Sequence, residues 1–208
     1  MSITLYYAAM SNASRIHASL EELGVPYEKV TLDLRAGDQK KPEFLALNPN
    51  GKVPTIVLDG TPMFESVAIQ IALGERYGVE KGLWPALGTP EHLTALTWIV
   101  WGQVSLGAAV ARYMQNTSAW TPAELHHAPT AEAALKDMHA LLAVLDAHLA
   151  KHAHVAGASF TLADLDIASV LGWAVHAAKI DITAYSKLGA WLGAAAQRPG
   201  MRAVMAAS

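Results

Sequence analysis

The pattern of apolar and polar positions changes character about eighty residues into the chain. The early part alternates strand-like and helix-like signals. Ile3-Thr4-Leu5-Tyr6-Tyr7 is rich in β-formers, whereas Ser14 to Leu23 places Ile16, Leu20 and Leu23 on one helical side and is followed by Gly24, a common helix stop. Val25 to Leu34, with Tyr27, Val30 and Thr31, predicts a second strand. Pro42 to Leu47 predicts a short helical turn. Thr55 to Leu58 and Met63-Phe64 bracket Asp59-Gly60, a hairpin signal, and Ser66 to Tyr77 predicts a helix closed near Gly78.

The order β-α-β, then α, then β-β-α is that of a thioredoxin-like α+β domain, although it also fits other folds. Strand signals then largely stop. Gly82, Pro85, Gly88 and Pro90 mark a connecting stretch, which divides the chain into a first domain at 1–80, a linker at 81–90 and an all-α domain at 91–208. Alanine and leucine dominate this last part, as in a helical bundle. Pro122 and Pro129 place a loop at 116–129. Thr130 to His152 carries Leu135, Met138, Leu142, Leu145 and Leu149 at three- and four-residue steps. Thr161-Leu162-Ala163-Asp164 has the form of a capping box with Asp in the usual Glu place, opening a helix to about Ala177. A last helix is predicted from Ala184 to Gln197, ending before Pro199.

Composition narrows the classes. Of 208 residues, 52% are hydrophobic, so a sizeable core is available. The net charge of −3 gives no basic stripe for nucleic acid and no polybasic membrane patch. No cysteine is present, which excludes a disulfide framework, a cysteine nucleophile and a Cys-X-X-Cys pair. Met1 to Tyr7 reads as a strand rather than a leader, consistent with a cytoplasmic protein. Leu93 to Ala111 carries no charge and approaches bilayer length, but Thr94, Thr97, Gln103, Ser105 and two glycines make it a buried helix or a dimer face. His148, His152 and His154 lie close in sequence, yet no nearby Cys, Asp or Glu completes a zinc set, so no metal is expected.

Three short stretches carry candidate chemistry. Asn48-Pro49-Asn50-Gly51-Lys52-Val53-Pro54 is a turn leading into an X-Pro step before a strand. That step is a candidate cis bond, and the turn would aim the Val53 amide and carbonyl off the sheet edge, where a peptide pairs like an added strand. Glu65-Ser66 opens the next helix; free amides there suit a carboxylate, and Glu65 suits an ammonium. Met10-Ser11-Asn12-Ala13-Ser14-Arg15 follows the first strand and offers donors for a thiolate. Each stretch alone also reads as ordinary capping.

In this order the three elements resemble the bacterial soluble glutathione S-transferases, over essentially the full chain, with Phe160 to Asp164 as a fourth matching element. The resemblance implies a glutathione co-substrate and no separate cofactor. It implies that Val53 pairs with the cysteinyl unit beside cis-Pro54, that Glu65 and Ser66 hold the γ-glutamyl group, and that Lys52 and Gln39 lie near the glycine carboxylate. Ser11 or Asn12 would contact the thiol, with Ser11 preferred as a hydroxyl donor, while Arg15 is structural. A hydrophobic electrophile would meet Met10, Trp101, Ser105, Ala108, Arg112 and Tyr113. Met10 stands where the beta class has its cysteine, and Gly107 where it has a histidine, so beta-type cysteine chemistry is excluded. The implied activity is glutathione transfer to small hydrophobic electrophiles by a homodimer. A glutathione-dependent disulfide or peroxide reductase, an isomerase like maleylacetoacetate isomerase, and a non-catalytic binding protein are the rivals.

Overall fold

A computed structural model describes residues 2–206. They form two compact units: one runs to Leu87 and includes the tail from Gln197, and the other spans Gly88–Ala196.

The first unit is built on a four-stranded mixed sheet in the order β2-β1-β3-β4. Strand β1 (Ile3–Tyr7) alternates buried and part-exposed residues, as a strand with one covered face requires. It pairs parallel with β2 (Glu28–Thr31) and antiparallel with β3 (Thr55–Leu58), which pairs antiparallel with β4 (Thr61–Phe64). The second strand is shorter than its β-prone sequence suggests, with only Glu28–Thr31 in register with β1. Pro62 is accommodated because β4 is an edge strand, where a missing N–H costs no ladder bond. Asp59 and Gly60, both left-handed at φ 47° and 84°, make the hairpin turn as expected.

Helix α1 (Ala13–Leu23) and helix α3 (Ser66–Leu73) pack together, burying Ile16 and Leu20 with Ile69 and Leu73. Beyond Leu73 the helix widens into a π-turn, Gly74–Gly78, rather than remaining α-helical to Tyr77. Helix α2 is a single turn, Pro42–Leu45. The chain end holds a helix absent from the sequence expectation. Pro199 does not close the preceding helix alone but starts a new one, Pro199–Ala206, taking the first-turn place where its missing N–H is harmless. This helix lies on α1, so close that a side chain at Gly200 would meet the Ala18 carbonyl at 2.1 Å. Glu22 anchors it by accepting from Arg198 Nε at 2.7 Å and from the Gly200 amide at 3.0 Å.

In the second unit, α4 (Pro90–Trp101) passes through a π-turn at Gly102–Gly107 into α5 (Ala108–Gln115). The resulting 26-residue rod has the length and apolarity of a membrane span. Yet Ala95, Ile99, Leu106, Ala109, Val110 and Met114 are buried within the unit, as for the core helix of a bundle. Against the rod pack α6 (Ala128–Leu149) and α7 (Leu162–His176); α8 (Ser186–Ala196) packs on α6 and α7. The capping box forms as read. The fully buried Asp164 carboxylate accepts from the Thr161 amide at 2.9 Å and the Thr161 hydroxyl at 3.0 Å. It also accepts from the Val155 amide at 2.9 Å and from Trp191 Nε1 at 3.0 Å, so one carboxylate joins the α7 start, the preceding loop and α8.

Candidate functional site

The strand register gathers the three chemical stretches. Thr55 stands opposite both Tyr6 and Phe64, so one step further along lie Pro54, Tyr7 and Glu65. The loop after β1, the Val53-Pro54 step and the start of α3 therefore emerge from one end of the sheet.

The Val53–Pro54 bond is cis. Val53 lies outside the ladder, and no hydrogen bond among the described residues uses its amide or carbonyl. Asn48, only 2% exposed, shapes the loop that leads to it. Its Nδ2 donates to the Lys52 carbonyl at 2.8 Å and to Thr55 Oγ1 at 3.0 Å; its Oδ1 accepts from the Asn50 amide at 3.0 Å. Gly51 adopts φ 59°, and a side chain there would meet the Gln39 carbonyl at 2.8 Å. Asn48 is the loop-shaping residue that sequence reasoning quoted without using. Its signal was the Asn-Pro-Asn-Gly turn composition, which marks a turn but not a buried hydrogen-bonding hub.

Glu65 caps α3 in an unusual conformation, φ 70° and ψ 115°, with no side-chain cap bond. Non-glycine residues rarely adopt such a backbone, which costs on the order of 1–3 kcal/mol and concentrates at functional sites. The Ile69 amide bonds to the Glu65 carbonyl at 3.0 Å, which leaves the earlier amides of Ser66, Val67 and Ala68 outside the helical ladder. Glu65 is exposed and Ser66 buried, so an exposed acid stands beside these first-turn amides.

In the first loop, Met10 is left-handed (φ 54°) and exposed. Ser11 Oγ donates to the Ala8 carbonyl at 2.7 Å and accepts from the Ala13 amide at 3.1 Å, so its single proton is spent inside the loop. Asn12 is exposed, and its Oδ1 accepts from the buried Arg15 at 2.8 Å. A guanidinium only donates, so it fixes the oxygen toward Arg15 and turns the Asn12 NH2 group outward. Lys52 is exposed near Val53, but the Gln39 amide is folded back, donating to the Leu34 carbonyl at 3.1 Å.

The rod candidates separate. Ser105, Ala108 and Arg112, spaced along one face, line a groove of about 350 Å³ with Asp137 and Leu141 of α6, and Arg112 pairs with Asp137. Trp101 packs edge-on to Trp98 at 5.0 Å between ring centres, while Tyr113 lines a different cleft with Trp120. His148 and His152 stack at 4.4 Å, and His148 Nε2 bonds the Val155 carbonyl at 3.1 Å. Among the described residues no group of three His, Cys, Asp or Glu is placed to hold a metal.

A mixed four-stranded thioredoxin-like unit whose sheet end carries a cis-Pro edge and a left-handed acid at a helix start, with a helical unit beyond it in sequence, defines the glutathione transferase architecture. The sequence matches the models for "Glutathione S-transferase, N-terminal domain" at residues 1–71 and "Glutathione S-transferase, C-terminal domain" at residues 128–194. It is 31% identical to glutathione S-transferase GstB of Escherichia coli K12 over 198 residues, 94% of this chain and 93% of that one. It is also 31% identical to glutathione S-transferase 3 of Zea mays over 220 residues, 99% of this chain and 94% of that one. Among solved structures, a sphingomonad glutathione S-transferase complexed with glutathione superimposes with a TM-score of 0.84 at 30% identity, covering 98% of both chains. The chain belongs to the glutathione S-transferase family.

Proposed function

We propose that the protein binds glutathione at the open end of its sheet and transfers the thiolate to small hydrophobic electrophiles. The observation that carries this reading is Glu65 held at φ 70° at the start of α3, beside the cis Val53–Pro54 step. A helix start alone is met more cheaply by glycine or asparagine in that conformation. The conformation gains its use when the Glu65 carboxylate accepts from an α-ammonium while the Ser66 hydroxyl and the first α3 amides receive the α-carboxylate. Val53 supplies an N–H and a C=O for the cysteinyl backbone. Lys52 supplies positive charge for the glycine carboxylate; the folded-back Gln39 is the weaker partner there.

The hydrogen bonding supports a change in the order of thiol partners. Ser11 would have to release the Ala8 carbonyl to donate, whereas the Asn12 NH2 is already directed outward by Arg15. Donation to the thiolate lowers the thiol pKa from about 8.5, each unit giving up to about tenfold more thiolate at neutral pH. Asn12 also favours the second reading, reduction of disulfides by the bound glutathione. The apolar candidates Met10, Trp101, Ala108 and Tyr113 favour a hydrophobic electrophile. A homodimer is supported by the rod itself, where Leu93, Val100 and Val104 form an exposed apolar stripe continued by Val144 on α6. A cytoplasmic detoxifying role belongs to the same reading.

The test is turnover against pH with an aryl halide and with a glutathione mixed disulfide, for wild type, Ser11→Ala and Asn12→Ala. Asn12→Ala should move the thiol limb upward by about one unit and cut neutral-pH turnover severalfold. Ser11→Ala should do less. A higher rate on the disulfide selects the second reading. Absence of glutathione-dependent turnover on both substrates would overturn both.

A further inference from the structure

Of the four asparagines in the chain, Asn12, Asn48, Asn50 and Asn116, only Asn50 is followed by glycine. A backbone amide nitrogen attacks the preceding asparagine side chain most readily when no Cβ crowds it, and glycine alone has none. Asn12 precedes Ala13 and Asn116 precedes Thr117, whose side chains stand in the way. Asn48 precedes Pro49, whose nitrogen has no proton to lose. Asn50 is exposed, so solvent base and water reach it.

The folded loop occupies both reacting atoms of this pair. The Gly51 nitrogen, which would attack, donates its proton to the Asn48 carbonyl at 2.9 Å. The Asn50 side-chain nitrogen, which would leave, donates to Asn48 Oδ1 at 3.1 Å, and the Asn50 amide donates to the same oxygen at 3.0 Å. Gly51 is buried, so base meets its amide only when the loop opens. Lys40 acts in the other direction. Its Nζ donates to the Asn50 carbonyl at 3.4 Å and lies 2.7 Å from where a Cβ on Gly51 would stand. A cation that close favours an amide anion, so the pair is reactive by composition and held back by Asn48.

We infer that Asn50–Gly51 is a site of spontaneous deamidation, restrained by Asn48 and released when the loop opens. The Gly51 nitrogen gives its proton to solvent base and forms a bond to Asn50 Cγ. The Cγ–Nδ2 bond breaks and ammonia leaves, which closes a five-membered succinimide. Water then opens the ring at either carbonyl, giving aspartate or isoaspartate. The net change is asparagine plus water to the acid plus ammonia, with nothing oxidised or reduced. Isoaspartate carries one extra methylene in the main chain, which breaks a turn whose Asn50 and Gly51 amides are both bonded to Asn48. Lys52 and Val53 come next in the loop and lose their fixed positions. Loss of glutathione binding in the modified molecules rests on the proposed function; the modification itself does not.

The test is incubation of the full-length protein for days at physiological temperature and mildly alkaline pH, with fragments mapped by mass spectrometry and isoaspartate assigned by isoaspartyl methyltransferase labelling. The fragment holding Asn50 should be the main site of deamidation. Wild type should react at least about tenfold more slowly than a synthetic peptide of residues 47–54, and Asn48→Ala at least about fivefold faster than wild type. As the isoaspartyl form accumulates, its melting temperature should fall by at least about 5 °C. Asn50→Gln, whose longer side chain closes its ring far more slowly, should keep its own melting temperature throughout. Reduced glutathione should slow the reaction further; the expected mapping with no effect of glutathione supports the deamidation site and counts against the glutathione reading alone. Asn50 intact in both aged wild type and Asn48→Ala while the peptide reacts would overturn the inference. So would wild type reacting as fast as the peptide, or an isoaspartyl form that melts like fresh protein.

Discussion

Replacing Asn48 by Ala isolates the loop geometry on which the glutathione reading depends, because the buried Asn48 holds the loop that presents Val53. The side chain is buried and makes four bonds that bear on the loop: to the Lys52 carbonyl, to Thr55 Oγ1, and from the backbone and side-chain amides of Asn50. Each is worth about 0.5–1.5 kcal/mol net, and groups left buried without partners add a penalty of about 1–3 kcal/mol. Water entering the small cavity recovers part of this, so the loss should be about 2–4 kcal/mol. For a protein of 208 residues that lowers the melting temperature by roughly 5–12 °C. Glutathione affinity should fall as well, since Val53 loses its fixed position. Thr55→Val removes the acceptor of the Asn48 Nδ2 bond and the hydroxyl that donates to the Lys52 carbonyl at 3.2 Å, and should cost about 1–2 kcal/mol, with glutathione binding nearly kept. Thermal unfolding and calorimetric titration of the two variants read both quantities. An Asn48→Ala protein that melts within a degree of wild type and binds glutathione unchanged would refute the positioning role.

Other consequences are separately measurable. Glu65→Gly relieves the left-handed backbone but adds chain entropy, so stability should change by less than about 1 kcal/mol while glutathione binding is lost. Asp164→Ala leaves the Val155 and Thr161 amides and Trp191 Nε1 without their buried acceptor; a loss of about 3 kcal/mol or more should appear in denaturant unfolding. Burial holds His17 below its ordinary 6.5, with nearby Lys29 acting the same way and Glu21 opposing; burial likewise holds His148 below 6.5. Below about 6.5 the unfolded chain takes up protons that the folded chain refuses, so stability should fall as pH drops through that value. The fall should end once the folded imidazoles protonate, and His17→Gln should flatten part of it in pH-dependent urea titrations.

Much of the fold was legible because its punctuation is strong. Gly24, the Asp59-Gly60 turn and the Thr161-to-Asp164 box each have a local physical cause that tertiary packing did not override. What was not legible depended on packing. Pro199 reads as a stop, yet the helix Pro199–Ala206 forms because Gly200 allows close approach to α1 and Glu22 holds Arg198. The π-turns at Gly74–Gly78 and Gly102–Gly107 have no periodic signature distinct from helix. At the site, residue types pointed to Val53, Glu65 and Ser66, and strand register then placed their segments at one sheet end. The ranking of Ser11 and Asn12 was invisible, since it depends on which proton the loop consumes. The rod candidates shared a helix but not a face: Ser105, Ala108 and Arg112 line one groove, Tyr113 lines another, and Trp101 packs on Trp98 outside both.

The most direct test of the central claim is calorimetric titration of the purified protein with reduced glutathione at neutral pH, beside Glu65→Ala and Ser66→Ala. The account predicts saturable binding in the micromolar-to-millimolar range, about −8 to −4 kcal/mol, abolished or weakened by at least tenfold in both variants. Folded wild type that shows no binding, or variants that bind as well as wild type, would contradict it.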